Sequence, residues 1–209
     1  MRTTIARIGV VLSLLTIIGC SDNPKTDTPP LKQQIAHPIK IVDHFDKQDP
    51  NWQFYGGIWV VSNRTLIQTA TDVYFPLALR QKEKFSTVDI SVRFKPLSGR
   101  IDASGGIVFR ATDEENYYIV RANALEGNYR LYYFKEGSRY QIASATVTAP
   151  TLGKWHTMRV VAQGDHIQAY LDGTLYLDHH DSRYSSGYVG LWTKADSVTA
   201  FDDLEVVGE

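Results

Sequence analysis

The sequence predicts an all-β protein, an antiparallel β-sandwich, on three observations. Short stretches that alternate apolar and polar residues follow one another from Ile39 onward. Turn residues separate them at intervals of roughly 8–12 residues, the spacing of sandwiches and barrels. No amphipathic pattern of helical period longer than a few turns follows the N-terminal apolar run, and Tyr (12) and Trp (4) are plentiful where Met (2) is scarce. Aromatic and β-branched residues suit a pleated, half-buried surface.

The elements follow in order. Arg2 and Arg7 precede an apolar stretch, Ile8 to Ile18. It is shorter than the roughly 20 residues a spanning helix needs and has the size of a signal-peptide core. It ends in Ile17-Ile18-Gly19-Cys20, which resembles the bacterial lipobox. Residues 1–19 are therefore expected to be a cleaved signal peptide and Cys20 the lipidated first residue. By analogy with Gram-negative sorting, Ser21 rather than Asp favours the outer membrane, which makes the cell envelope the expected location. The chain from Cys20 to residue 38 is polar and proline-rich and reads as a tether. Stretched, it reaches about 60 Å; coiled, about 25 Å.

Residues 39–209 form the expected domain. Ile58–Val61 and Thr65–Thr69 flank Ser62-Asn63-Arg64 as a hairpin. Val88–Phe94 alternates with period two, the mark of a strand with one wet face. Gly106–Ala111, Tyr117–Ala124 and Tyr129–Lys135 follow, then Trp155–Ala162 and His166–Leu171. Asp172-Gly173 is a type I′ turn signal into Thr174–Asp178, because both residues tolerate positive φ. Tyr188–Lys194 and Val198–Val207 close the chain.

Charge narrows the function. The chain holds 22 basic and 23 acidic residues; loss of residues 1–19 removes Arg2 and Arg7, leaving 20 against 23, a formal −3. No basic field exists to hold nucleic acid, and contact with the membrane is expected through the lipid alone. Cys20 is the only cysteine, so packing and not a disulfide must hold the fold.

A series of segments carries a family resemblance: Gly105–Ala111, Asn116–Asn123, Trp155–Val160, Tyr170–Gly173, Gly187–Trp192 and Phe201–Leu204. Together, over roughly residues 40–207, they resemble concanavalin A-like jelly-roll domains, nearest the laminin G-like and 3-keto-disaccharide hydrolase groups. The resemblance implies a jelly roll. It leaves lectin, carbohydrate-binding module and glycosidase open, because one fold hosts all three.

The residues test those alternatives. Retaining glycosidases need two carboxyl groups about 5–5.5 Å apart, which a strand supplies at i, i+2 and i+4. No glutamate here is followed two residues later by Asp, and Glu114, Glu115, Glu126 and Glu136 fall in predicted turns. The catalytic residues of the 3-keto-disaccharide group cannot be placed on this sequence. No Gly-x-Ser-x-Gly elbow exists, and His179-His180-Asp181 reads as a polar loop, since neighbours in an extended chain point apart. The resemblance also implies a structural Ca²⁺ where first and last strands meet, for which Asp43, Asp46, Asp202 and Asp203 supply oxygens. Alternation puts Asp202 on the face of Leu204 and Val206. A ligand face is expected from Arg93, Arg110, Arg121, Asn123, Trp192 and Lys194, since aromatic rings stack on sugars and Arg and Asn bond hydroxyls. The expected function is noncatalytic carbohydrate or envelope-glycan binding, with a glycoside hydrolase of the 3-keto-disaccharide type and a laminin G-like protein-interaction module as alternatives.

Overall fold

A computed structural model of the chain describes residues 38–209; the expected signal peptide, Cys20 and nearly all of the expected tether lie outside the described residues. Two antiparallel sheets stack face to face, and no helix occurs among the described residues.

Sheet A runs in the order β13 (Thr174–His180), β12 (His166–Leu171), β11 (His156–Gln163), β6 (Val88–Ser98), β15 (Val198–Gly208), β4 (Thr65–Gln68) and β3 (Trp59–Ser62), and β1 (Ile39–Asp43) also pairs with β15. Sheet B runs β10 (Ser138–Thr146), β9 (Asn128–Lys135), β8 (Tyr117–Asn123), β7 (Ser104–Ala111), β14 (Gly187–Trp192), β5 (Leu77–Phe85) and β2 (Trp52–Tyr55). The first and last strands meet as expected, with Asp43 opposite Leu204.

Alternation builds the core. Val88, Ile90, Val92 and Phe94 of β6 face Ile107 and Phe109 of β7 and Tyr118 and Val120 of β8 across the sandwich, all fully buried. The hairpin turns also form as read. Asn63 and Arg64 have φ of 50° and 58°, and Asp172 and Gly173 of 48° and 81°, the two positive values a type I′ turn needs.

Four strands carry no clear signal in the sequence. β1 and β2 are short. β5 reads Leu-Ala-Leu-Arg-Gln-Lys-Glu-Lys-Phe, whose charged half lies exposed or half-buried and does not mark a strand. β10 is an edge strand with a bulge between Gln141 and Ala143, which breaks its alternation.

Two further bulges overturn face assignments. On β15, Asp202 pairs with Arg93 and Glu205 with Ser91, so three steps on one strand match two on the other. Phe201, Leu204 and Val206 all reach the core, and Asp202 does not share the face of Leu204. Asp203 takes the left-handed conformation, φ 49°. On β7, Ala111 pairs with Tyr188 and Val108 with Gly190, the same extra residue. Arg110, at φ 51°, leaves the face of Val108.

Candidate functional site

The outer face of sheet B carries a second apolar layer. Leu77, Leu79, Val108, Ile119 and Trp192 lie buried there, with Phe75 stacked on Trp192 at 5.6 Å. Phe134 meets Phe75 edge-on at 4.9 Å and stacks on Tyr117 at 4.4 Å. Backbone bonds from Thr193 to Pro76 O and from Ala195 to Tyr74 O fix the Phe75 segment beside β14.

Register then sets polar residues beside this layer. Trp192, Gly106, Arg121 and Arg130 stand opposite one another across β14, β7, β8 and β9. Asn123 stands between Ser104 and Asn128 in the row two residues further along β8. Arg121 is 1% exposed. Its Nη1 donates to Asn128 Oδ1 (3.0 Å), and its Nη2 to Glu126 Oε2 (3.0 Å) and to the Tyr132 hydroxyl (3.4 Å). Arg130 Nη1 donates to the same hydroxyl at 3.3 Å and lies 3.5 Å from Glu126. The Arg139 guanidinium lies 4.5 Å over the Tyr132 ring and 6.0 Å from that of Trp192.

Glu126 is held ionised. Its partial burial works against the charge, but hydrogen bonds from Asn128 and Arg121 and the charges of Arg121 and Arg130 outweigh it and bring its pKa down to about 2. Asp102, wholly buried, sits 3.1 Å from Lys194 Nζ. The loop that carries it is fixed by Asp196, whose carboxylate accepts from the backbone N–H groups of Arg100 (2.7 Å), Ile101 (3.0 Å) and Asp102 (2.9 Å). Desolvation opposes ionisation of Asp196, and these three donors hold its carboxyl below the ordinary range all the same.

Several atoms here lack a hydrogen-bond partner: Arg121 Nε, Asn123 Nδ2, Arg139 Nη1 and both carboxylate oxygens of Asp102, whose Oδ2 meets only the Lys194 ammonium. A buried polar atom left without one costs about 1–3 kcal/mol, so a group of them in one place marks where a polar ligand or water belongs.

Of the residues the sequence singled out, Arg121, Asn123, Trp192 and Lys194 come together. Arg110 does not. The bulge turns it away, and its guanidinium donates to Ser86 O (2.8 Å) and Tyr184 O (3.2 Å) instead. Arg93 stands on sheet A, paired with Asp203 at 2.9 Å under the Trp155 ring. Asp102, Glu126, Arg130, Tyr132 and Arg139 were missed. The period of β9 puts Arg130 and Tyr132 on one face and could have found them; a loop, a turn and a bulged edge strand hide the others.

The aspartates at the strand junction divide. Asp43 accepts from Phe45 N (2.8 Å) and Trp52 Nε1 (2.9 Å), and Asp46 pairs with Arg64 at 2.7 Å. Asp202 and Asp203 gather with His44, their donor atoms within 4.8 Å. His44 and Arg93 already bond Asp203. His179 and His180 end strand β13, paired with Ile167 and His166, instead of standing in a polar loop; His180 turns to Asp165 (3.1 Å) and Asp181 to Tyr118 and Arg183, so the neighbours do point apart.

Two stacked antiparallel sheets in this strand order define a concanavalin A-like jelly roll. Within that class, residues 40–207 match the 3-keto-alpha-glucoside-1,2-lyase-like domain, and the chain belongs to that family. Family membership gives it a carbohydrate-related function. The chain is 27% identical over 165 residues to a levanase of Bacillus subtilis (strain 168), covering 77% of this chain and 24% of the levanase, so it spans about a quarter of that relative's length. Among solved structures, it is similar to the carbohydrate-binding module CBM66 from Bacillus subtilis, with a TM-score of 0.67, 23% identity, and coverage of 74% of this chain and 94% of the module. It is also similar to a β-glucanase of Bacillus licheniformis, with a TM-score of 0.58, 12% identity, and coverage of 81% and 98%.

Proposed function

We propose that this protein is an envelope lipoprotein, anchored through Cys20, that binds carbohydrate without turning it over, on the outer face of sheet B. One observation carries the reading: unpartnered donors on Arg121, Asn123 and Arg139 and unpartnered carboxylate oxygens on Asp102 lie beside the aromatic layer of Trp192 and Phe75. Sugars offer the complement, hydroxyls for the polar atoms and a C–H face for the half-buried Phe75 ring that covers Trp192. Likeness to a levanase and to a carbohydrate-binding module supports it. The tether would hold this face within tens of ångströms of the membrane.

A glycan-binding screen with product analysis on the same samples tests the reading, with levan included among neutral and acidic glycans. Binding without new products is expected, and a blank screen would contradict it. In cells, Cys20→Ser is expected to move the protein from the membrane to the soluble fraction; retention on the membrane would count against the anchor. A second reading, glycan cleavage, is favoured by the buried Asp102–Lys194 pair, since a carboxylate with one free oxygen can accept a proton. Products released by the parent and lost in Asp102→Asn would select it.

A further inference from the structure

We infer that the glycan taken by this face is anionic, a saccharide bearing carboxylate or sulfate groups. The inference rests on the carbohydrate-binding reading above and narrows it to a substrate class.

Charge is the first ground. Three guanidinium groups converge on Tyr132: Arg121 and Arg130 donate to its hydroxyl at 3.4 and 3.3 Å, and Arg139 lies 4.5 Å over its ring. A single carboxylate, Glu126, serves two of them, at 3.0 and 3.5 Å. Arg139 has no carboxylate partner among the described residues and rests on the rings of Tyr132, Phe75 and Trp192. Lys194 is matched one to one by Asp102. Four cations therefore face two carboxylates, the nearby Asp196 being spent on the backbone N–H groups of Arg100, Ile101 and Asp102. Like charges held this close repel, and desolvated cations short of counter-charge are costly. An arriving anion removes both penalties. The excess is local, because the chain as a whole has a formal charge of −1.

Hydrogen-bond balance is the second ground. The unpartnered atoms of Arg121, Asn123 and Arg139 are donors, three of them, against the two oxygens of Asp102, of which Oδ2 already faces the Lys194 ammonium at 3.1 Å. A hydroxyl that accepts from such a donor brings a proton of its own that needs an acceptor. A carboxylate or sulfate brings acceptors alone, and its bonds to guanidinium are charge-assisted.

Access fits the same occupant. Arg121, Asn123 and Asp102 are sealed beneath the face, whereas the side chains of Arg130 and Lys194 are 31% and 18% exposed. These two and the half-buried Arg139 meet the ligand first. Their side chains are long enough to swing and admit its anionic group to the donors below.

The test is isothermal titration of the full mature chain, in detergent, with matched probes. Dextran sulfate and neutral dextran share a backbone; polygalacturonate supplies carboxylate, levan is neutral, and polyphosphate supplies charge without sugar. At least one acidic glycan is expected to bind about tenfold or more tighter than the neutral ones, and to weaken as salt rises. Arg139→Gln is expected to cost about tenfold against that glycan at an unchanged melting temperature. Should that variant unfold, Arg130→Gln, at the more exposed of the two guanidinium groups beside Glu126, takes its place with the same expectation. Neutral glycans binding as tightly as acidic ones would overturn the inference and leave the carbohydrate reading standing. So would polyphosphate binding as tightly as the acidic glycans, or variants that bind the acidic glycan like the parent. If no glycan binds at all, the carbohydrate reading itself falls.

Discussion

Glu126 stands between Arg121 and Arg130 and accepts from both Arg121 and Asn128. Its folded pKa, about 2, lies below the ordinary 4.5. A lowered carboxyl stabilises the fold fully above its ordinary value and loses that contribution as pH falls through the folded one. The window is therefore pH 4.5 down to about 2. The side chain is 37% exposed, so water screens part of the effect. Glu126→Gln is expected to lower the melting temperature at pH 7 and to flatten its decline across that window. Parallel curves for parent and variant in a calorimetric pH series would contradict this. The residue also shows how little a turn glutamate reveals in sequence. Its position was readable, but its partners come from strands whose pairing only the fold decides.

The β-bulges are where sequence reading of the elements stops working. Alternation assigns faces by counting residues, and one extra residue reverses every assignment beyond it. The strand pattern gave the right faces for Arg121, Asn123 and Trp192, which lie in unbroken stretches of β8 and β14. It failed for Arg110 and Asp202, which sit at bulges in β7 and β15. It was silent for β5, where a lysine- and glutamate-rich half masks the strand. The bulge in β7 also makes a demand on its neighbour. Gly187 packs so tightly over it that a methyl group there would run into Ala111 O and the carbonyl carbon of Arg110. Gly187→Ala is therefore expected to cost about 1–3 kcal/mol, the usual range for overpacking. An unchanged urea midpoint would show that the bulge yields more easily than its contacts suggest.

On the scale of the whole molecule, the fold was more legible than the site. Turn signals and period-two runs specify a sandwich almost by themselves, because they are local. The site is assembled from β7, β8, β9, β10, β14 and the connecting segments that carry Phe75, Asp102, Glu126 and Lys194, and its defining feature is the set of polar atoms that the assembly leaves unpaired. No spacing in the sequence encodes that. The two outer faces of the sandwich also differ. Sheet A carries closed pairs, such as Arg159 bonded to both oxygens of Asp89 at 2.8 Å, whereas sheet B carries an aromatic layer beside open donors. The central claim is that sheet B is the carbohydrate face. Amide chemical-shift mapping of the labelled protein, titrated with the tightest-binding oligosaccharide from the screen, tests it most directly. The account predicts shifts at Arg121, Asn123, Tyr132 and the Trp192 indole, with sheet A unmoved. Shifts confined to the Arg93–Trp155 surface of sheet A would contradict it.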